Sequence, residues 1–207
     1  YASGILLDPE YGLEAAKQRA KTCGLLLAYE KSGYDQTGPG RIPILLNNWS
    51  PQKIKEAGAN AVKILLYYNP YEKKETNDKK HRWVQTIGED CHHEDIPYFL
   101  EFVGYPVDGE EEKSLDYDKK KPSVVAKSLE EFSKDQYHVD VLKVEIPINM
   151  QFTEGTKSYK NQGKAYTKKE AFTHFKAAAS TTNKPFIYLS AGVSDAEFRE
   201  SLELAAE

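Results

Sequence analysis

The sequence predicts an α/β fold, a parallel sheet wound as a (β/α)8 barrel with about six of the eight βα units present. Three observations carry this. Six short apolar runs alternate with amphipathic stretches of helical period along the 207 residues. The runs are continuously apolar where a half-exposed strand would alternate, as parallel strands covered on both faces require. No Gly-x-Gly-x-x-Gly follows any of them, which removes the strongest sign of an open dinucleotide-binding sheet. A closed barrel takes ~250 residues, so 207 residues leave room for two absent units.

The first strand is Gly4–Leu7, followed by a helix over Pro9–Thr22 and a second strand, Gly24–Ala28. A helix over Ser50–Ala57 opens with Ser50 as N-cap and Pro51 at the first helical position, and closes at Gly58. The third strand is Ala61–Tyr67, the next helix Asn77–Ile87 and the fourth strand Tyr98–Val103. Pro122–Phe132 then reads as helix and Val139–Ile146 as strand. Thr167 and Glu170 make a capping box for a helix over Thr167–Ala179. Pro185–Leu189 is the last strand, and Ser194 begins the last helix. The later strands follow one another at roughly 35–45 residues, a βαβ spacing with decorated loops. No linker rich in Pro, Gly or Ser interrupts the pattern, so residues 1–207 read as one barrel domain. The chain opens almost directly into a strand, has Met150 as its only methionine and closes on Glu207 inside a helical pattern. The expectation is a domain incomplete at both ends.

Composition narrows the partners. The net charge of −4, with lysines scattered or gathered in short solvated runs such as Lys119–Lys121, offers no nucleic-acid footprint. No apolar run approaches the ~18–20 residues of a membrane span. Cys23 and Cys91 make no disulfide framework, so a reducing cytoplasm is expected. Six strands leave two sheet edges in need of cover, and a homodimer is an admissible assembly.

Charges inside three strands carry the chemistry. Both faces of a barrel strand are dry near its middle, where an ionised group is costly unless paired or functional. Yet Lys63, Glu101, Lys143 and Glu145 interrupt apolar strands. The first three lie about one βα unit apart and converge if all point inward. Lys143 and Glu145 share a strand face, with Glu145 nearer the C-terminal mouth, where the active sites of such barrels lie. A buried ion-pair layer is the plainer alternative, although such layers seldom stabilise more than apolar packing does. The functional reading is a nucleophilic lysine. A lysine attacks only when neutral, and its reference pKa is about 10.4. Partial desolvation and a second ammonium nearby can bring it toward ~7–8. Lys63 beside Lys143 would supply that ammonium, and Glu101 the proton transfers.

At these residues the chain resembles the tagatose-1,6-bisphosphate aldolases of bacterial lactose and galactose catabolism, class I aldolases on a TIM barrel. The segments that carry the likeness span essentially the whole chain. They are Ile5–Gly12, Gly24–Lys31, Ile54–Tyr68, Asp95–Glu101, Val139–Asn149 and Tyr188–Ser194. The resemblance implies that Lys143 forms a Schiff base, assisted by Lys63 and Glu101, with no cofactor. It implies reversible cleavage of tagatose 1,6-bisphosphate to dihydroxyacetone phosphate and glyceraldehyde 3-phosphate, with fructose 1,6-bisphosphate as a further substrate. The family's N-terminal strand, bearing further polar site residues, and its last strand, with a glycine–arginine phosphate site, have no counterpart in these residues. Ser190, Ala191 and Gly192 would be the remaining half of the phosphate pocket, their backbone N–H groups meeting an anion; the alternative is a plain strand-to-helix turn. The segment Gln151–Lys164 looks local to this chain and is expected to be a mobile cover.

Other signals weigh less. Cys91–Asp95 has the composition of a metal cluster but no zinc spacing, and is expected to be a solvated turn at the N-terminal face. His81, His138 and His174 are helical or precede strands. No histidine marks a strand's C-terminal end, where a metal-dependent aldolase would place its ligands. Arg41, in the loop from Thr37, is a candidate phosphate contact, with an ordinary surface arginine the favoured reading. The runner-up readings are a sugar-phosphate-binding barrel without turnover, and a Schiff-base lyase for another phosphorylated ketose.

Overall fold

The computed structural model describes residues 2–33, 40–107 and 109–207. Six parallel strands form one sheet: β1 (Gly4–Leu7), β2 (Gly24–Ala28), β3 (Ala61–Tyr67), β4 (Tyr98–Val103), β5 (Val141–Glu145) and β8 (Phe186–Leu189). A two-stranded ladder, β6 (Thr153–Glu154) with β7 (Tyr166–Thr167), intervenes before β8. The large sheet runs in order β1-β2-β3-β4-β5-β8. A doubly wound sheet reverses its order at a switch point; this one steps in one direction throughout, as a barrel does.

Strand periodicity divides the sheet into two unlike faces. Leu25, Leu27, Val62, Ile64, Leu66, Tyr98, Leu100, Leu142 and Val144 point toward the helices and are buried in the main core. They meet Ile54 of α2 (Pro51–Glu56), Val84 and Ile87 of α3 (Lys74–His93), and Leu129 and Phe132 of α4 (Leu115–Phe132). A second core gathers Ile146, Ile148 and Met150 with Ala171 and Phe175 of α5 (Lys168–Ala179) and Leu204 of α6 (Asp195–Ala205). The alternate positions of β3, β4 and β5 carry Lys63, Glu101 and Lys143 on the other face. Among the described residues no helix is long and apolar enough to cross a membrane.

Three helices depart from their sequence expectations. The helix expected over Pro9–Thr22 is reduced to α1, Leu13–Ala16. Its start is consumed by a turn in which Glu10 donates to Asp8 Oδ1 and Gly12 to Asp8 O, each at 2.7 Å. The helix expected to stop at Ile87 continues to His93 because Gly88 serves packing rather than termination. A Cβ there would lie 1.9 Å from the Tyr137 carbonyl oxygen. The helix expected from Pro122 begins instead at Leu115, where Ser114 accepts from the Tyr117 N–H at 3.1 Å. Pro122 lacks the N–H that would bond Asp118 O, and the Tyr166 hydroxyl contacts Asp118 O at 3.4 Å and Lys119 O at 2.7 Å. The caps read at Ser50 and at Thr167–Glu170 are present. An unforeseen capping box at Ser194–Glu197 starts α6.

The segment 151–164 is tied down rather than free. Glu200 accepts from the N–H groups of Lys157 (2.5 Å) and Ser158 (3.0 Å), and Gln151 reaches Glu197 at 2.5 Å. The expectation of a mobile cover gives way to a loop pinned along α6.

Candidate active site

The strand register assembles the polar face. Glu101 lies directly opposite Leu65 of β3 and Lys143 of β5, so its carboxylate stands between the two lysines. Glu101 Oε2 is 2.9 Å from Lys63 Nζ and 3.0 Å from Lys143 Nζ. Lys63 also pairs with Glu30 at 2.6 Å. Glu30 sits just past β2, where Tyr29 N–H continues the ladder to Lys63 O at 2.9 Å. Side-chain exposure rises along the row: Lys63 7%, Glu101 11%, Lys143 25%. Lys143 and Glu101 line a cavity of about 760 Å³, and Lys63 lies behind them.

The electrostatics follow from that order. Burial by itself would lower the Lys63 pKa, but Glu30 and Glu101 outweigh it and hold the ammonium above its ordinary value. Burial pushes the Glu30 carboxyl up despite Lys63 beside it. Of the pair, the lysine's charge is the better secured, since it faces two carboxylates. The expectation of two ammonium groups in direct repulsion is corrected: Glu101 is interposed between them.

The other expected site residues are placed as follows. Ser190, Ala191 and Gly192 line the same cavity in the turn from β8 into α6. Ala191 and Gly192 have φ of +50° and +71°, and the turn closes by Val193 N–H to Ser190 O at 3.2 Å. Among the described residues no acceptor takes the N–H groups of Ala191 and Gly192. Glu145 also lines the cavity, but its carboxylate is committed: it accepts from Gly104 N–H at 2.7 Å and pairs with Lys121 at 3.4 Å. Gly104 permits this, because a Cβ there would lie 3.2 Å from Glu145 Oε2 and 2.7 Å from the Tyr117 hydroxyl.

Arg41 is neither a free surface arginine nor a cavity-lining group. Its side chain is 18% exposed, and its guanidinium pairs with Glu112 at 2.6 Å and lies 5.2 Å and 4.7 Å from the ring centres of Tyr67 and Tyr105. The preceding loop residues Thr37–Pro39 lie outside the described residues. Cys91–His93 form the last turn of α3 rather than a solvated turn, with Cys91 buried and its thiol pushed up to about 12 by burial. His92 stacks on His138 at 4.6 Å, at the end of the sheet opposite the cavity.

Sequence reasoning missed Glu30 and Lys121. Glu30 had a readable sign, a carboxylate immediately past an apolar strand. Lys121 had none, since it ends a charged run that looks solvated.

Fold and site together define a class: a parallel β/α barrel-type sheet bearing a lysine–carboxylate–lysine row across the middle of its strands, beneath a cavity. The chain belongs to the DeoC/LacD aldolase family, whose model matches residues 1–207. It is 52% identical over 207 residues to tagatose 1,6-diphosphate aldolase 2 of Enterococcus faecalis, covering 100% of this chain and 62% of that protein. It is 50% identical over 205 residues to tagatose 1,6-diphosphate aldolase of Staphylococcus haemolyticus, covering 99% of this chain and 62% of that one. The chain thus spans about 62% of the length of these curated relatives. Among solved structures, a Plasmodium falciparum fructose-bisphosphate aldolase matches with a TM-score of 0.64 at 12% identity, over 98% of this chain and 62% of that one. An archaeal fructose 1,6-bisphosphate aldolase matches with a TM-score of 0.53 at 15% identity, over 98% and 77%. These two establish likeness of fold.

Proposed function

We propose that the protein is a class I ketose-bisphosphate aldolase that cleaves tagatose 1,6-bisphosphate through a Schiff base on Lys143. The observation that carries this is one carboxylate oxygen, Glu101 Oε2, within 3.0 Å of the lysine that faces the cavity. Lys143 Nζ adds to the C2 ketone, and the resulting carbinolamine loses water to an iminium. The iminium withdraws electrons as the C4 hydroxyl gives up its proton and the C3–C4 bond breaks. Glyceraldehyde 3-phosphate leaves, and protonation and hydrolysis of the enamine release dihydroxyacetone phosphate. Each step moves a proton, and Glu101 is within reach of Lys143 to accept and return it. Lys63 holds Glu101 in place and stands behind it, as a positioning residue. The Ser190–Gly192 turn receives the ketone-side phosphate through unpaired N–H groups. Residues 1–207 form one incomplete barrel domain in this reading. The setting is the cytoplasm, fructose 1,6-bisphosphate serves as a second substrate, and a homodimer covers the sheet edges.

The test is borohydride reduction of the intact protein with dihydroxyacetone phosphate in EDTA, followed by peptide mass mapping. The expected result is a reduced adduct on Lys143, absent in Lys143→Met. Glu101→Gln should keep its fold and lose roughly 10²–10⁴-fold in kcat. Folded wild-type protein that forms no adduct would overturn the Schiff-base assignment.

A further inference from the structure

A bisphosphate carries an anion at each end, and the Ser190–Gly192 turn can hold only one. The lysines lining the cavity are Lys143, Lys113 and Lys121. Lys143 is committed to the carbonyl, and Lys113 is exposed on a loop. Lys121 differs from both. It projects from α4 with a side chain only 16% exposed, and is paired at 3.4 Å with Glu145. Glu145 is in turn fixed by Gly104 N–H at 2.7 Å. Glu145 follows Lys143 by two residues on one strand face, so its backbone lies about 7 Å further toward the mouth, and Lys121 is paired to its carboxylate.

The surroundings leave that ammonium available to an anion. Of the other carboxylates lining the cavity, Glu112 is paired with Arg41 at 2.6 Å, Glu197 is engaged by Ser194 at 2.7 Å and Gln151 at 2.5 Å, and Asp195 is exposed at the start of α6. Asp118, one turn before Lys121 on α4, also lines the cavity and is 3% exposed, and its Oδ2 is buried with no hydrogen-bond partner. Burial pushes its carboxyl up to about 7 against the opposing pull of Lys121, so near neutral pH about half of it carries a proton that it can offer to an anion.

We propose that Lys121, steered by Glu145, grips the phosphate on the aldehyde half of the substrate. The proposal rests on the aldolase reading and deepens it. It gives the cavity two anion grips of different make, backbone N–H groups for the ketone half and a held ammonium for the aldehyde half. Glu145 acts through Lys121 and touches no substrate.

The experiment is kinetic, run in the condensation direction on the intact protein. Lys121→Met should raise KM for glyceraldehyde 3-phosphate roughly 10–100-fold, the loss of one charge-assisted hydrogen bond. It should leave KM for dihydroxyacetone phosphate and for unphosphorylated glyceraldehyde unchanged. Lys121→Arg should recover most of the loss. Because Lys121→Met strands the buried Glu145 carboxylate, Lys121→Met combined with Glu145→Gln serves as the folded control and should show the same selective rise. An unchanged KM for glyceraldehyde 3-phosphate, or an equal rise for both aldehydes, would overturn the proposal. Retained borohydride trapping of dihydroxyacetone phosphate alongside either result shows that the Schiff-base reading survives; loss of trapping in the wild type sinks that reading itself.

Discussion

Lys63 and Lys80 are both buried, at 6% and 1% exposure, and their surroundings give them opposite charge preferences. Lys63 lies between Glu30 and Glu101, at 2.6 and 2.9 Å, and its ammonium is held above its ordinary range. Among the described residues no carboxylate reaches Lys80 within 4 Å. Its Nζ bonds the Tyr105 hydroxyl at 2.9 Å, and that hydroxyl donates to Glu72 at 3.2 Å. Burial therefore brings Lys80 down to about 7, with Glu72 offsetting only part. Depth does not decide whether a buried lysine keeps its proton; the carboxylates that neighbouring elements bring to it do. In the row beneath the cavity, β4 and the segment just past β2 supply those carboxylates. Beside α3, a tyrosine takes their place.

That contrast predicts opposite responses to the same substitution. Lys63→Met should be the most damaging, destabilising by about 3–5 kcal/mol in denaturant unfolding, because Glu30 and Glu101 lose the cation between them. Adding Glu30→Gln should recover part of the loss. Unfolding of Lys63→Met at the wild-type midpoint would break the comparison. Lys80→Met should instead stabilise, on the order of 2 kcal/mol at pH 7 and below, less the lost hydrogen bond to Tyr105. The folded pKa of about 7 lies below the unfolded 10.5, so the unfolded chain holds the proton more tightly. The penalty is complete below about 7 and fades as pH rises toward 10.5. The stabilisation should fade over the same interval in pH-dependent melts, and a gain that persists at pH 10.5 would assign the effect to packing.

Asp118→Asn sharpens the picture with the smallest effect, a gain of about 1 kcal/mol. Its folded pKa of about 7 exceeds the ordinary 3.8, so the penalty is full above pH 7 and gone below about pH 4. Asparagine can still accept the Asn149 N–H that Asp118 Oδ1 takes at 2.7 Å. Melts at pH 8 and pH 4 should show the gain only at the former; equal melts at both would mean that Asp118 gains a partner that its Oδ2 lacks here.

Sequence pattern alone determined the six sheet strands, because a strand dry on both faces must be continuously apolar. It also marked Lys63, Glu101 and Lys143, since a charge inside such a run costs too much to be incidental. The caps at Ser50 and Thr167 were legible because capping is settled within a few residues of chain. Tertiary structure decided the rest. The extent of α3 and α4 depended on Tyr137 backing Gly88 and on Tyr166 covering carbonyls beside Pro122, contacts made across about 50 residues of chain. Glu30 joined the row only through the β2–β3 register. Lys121 and Lys80 look like solvated lysines in the chain, and folding placed one over Glu145 and the other under Tyr105. A charge's cost in a strand is local and can be read from neighbouring residues; its partner and its protonation are set by distances that only the folded chain defines.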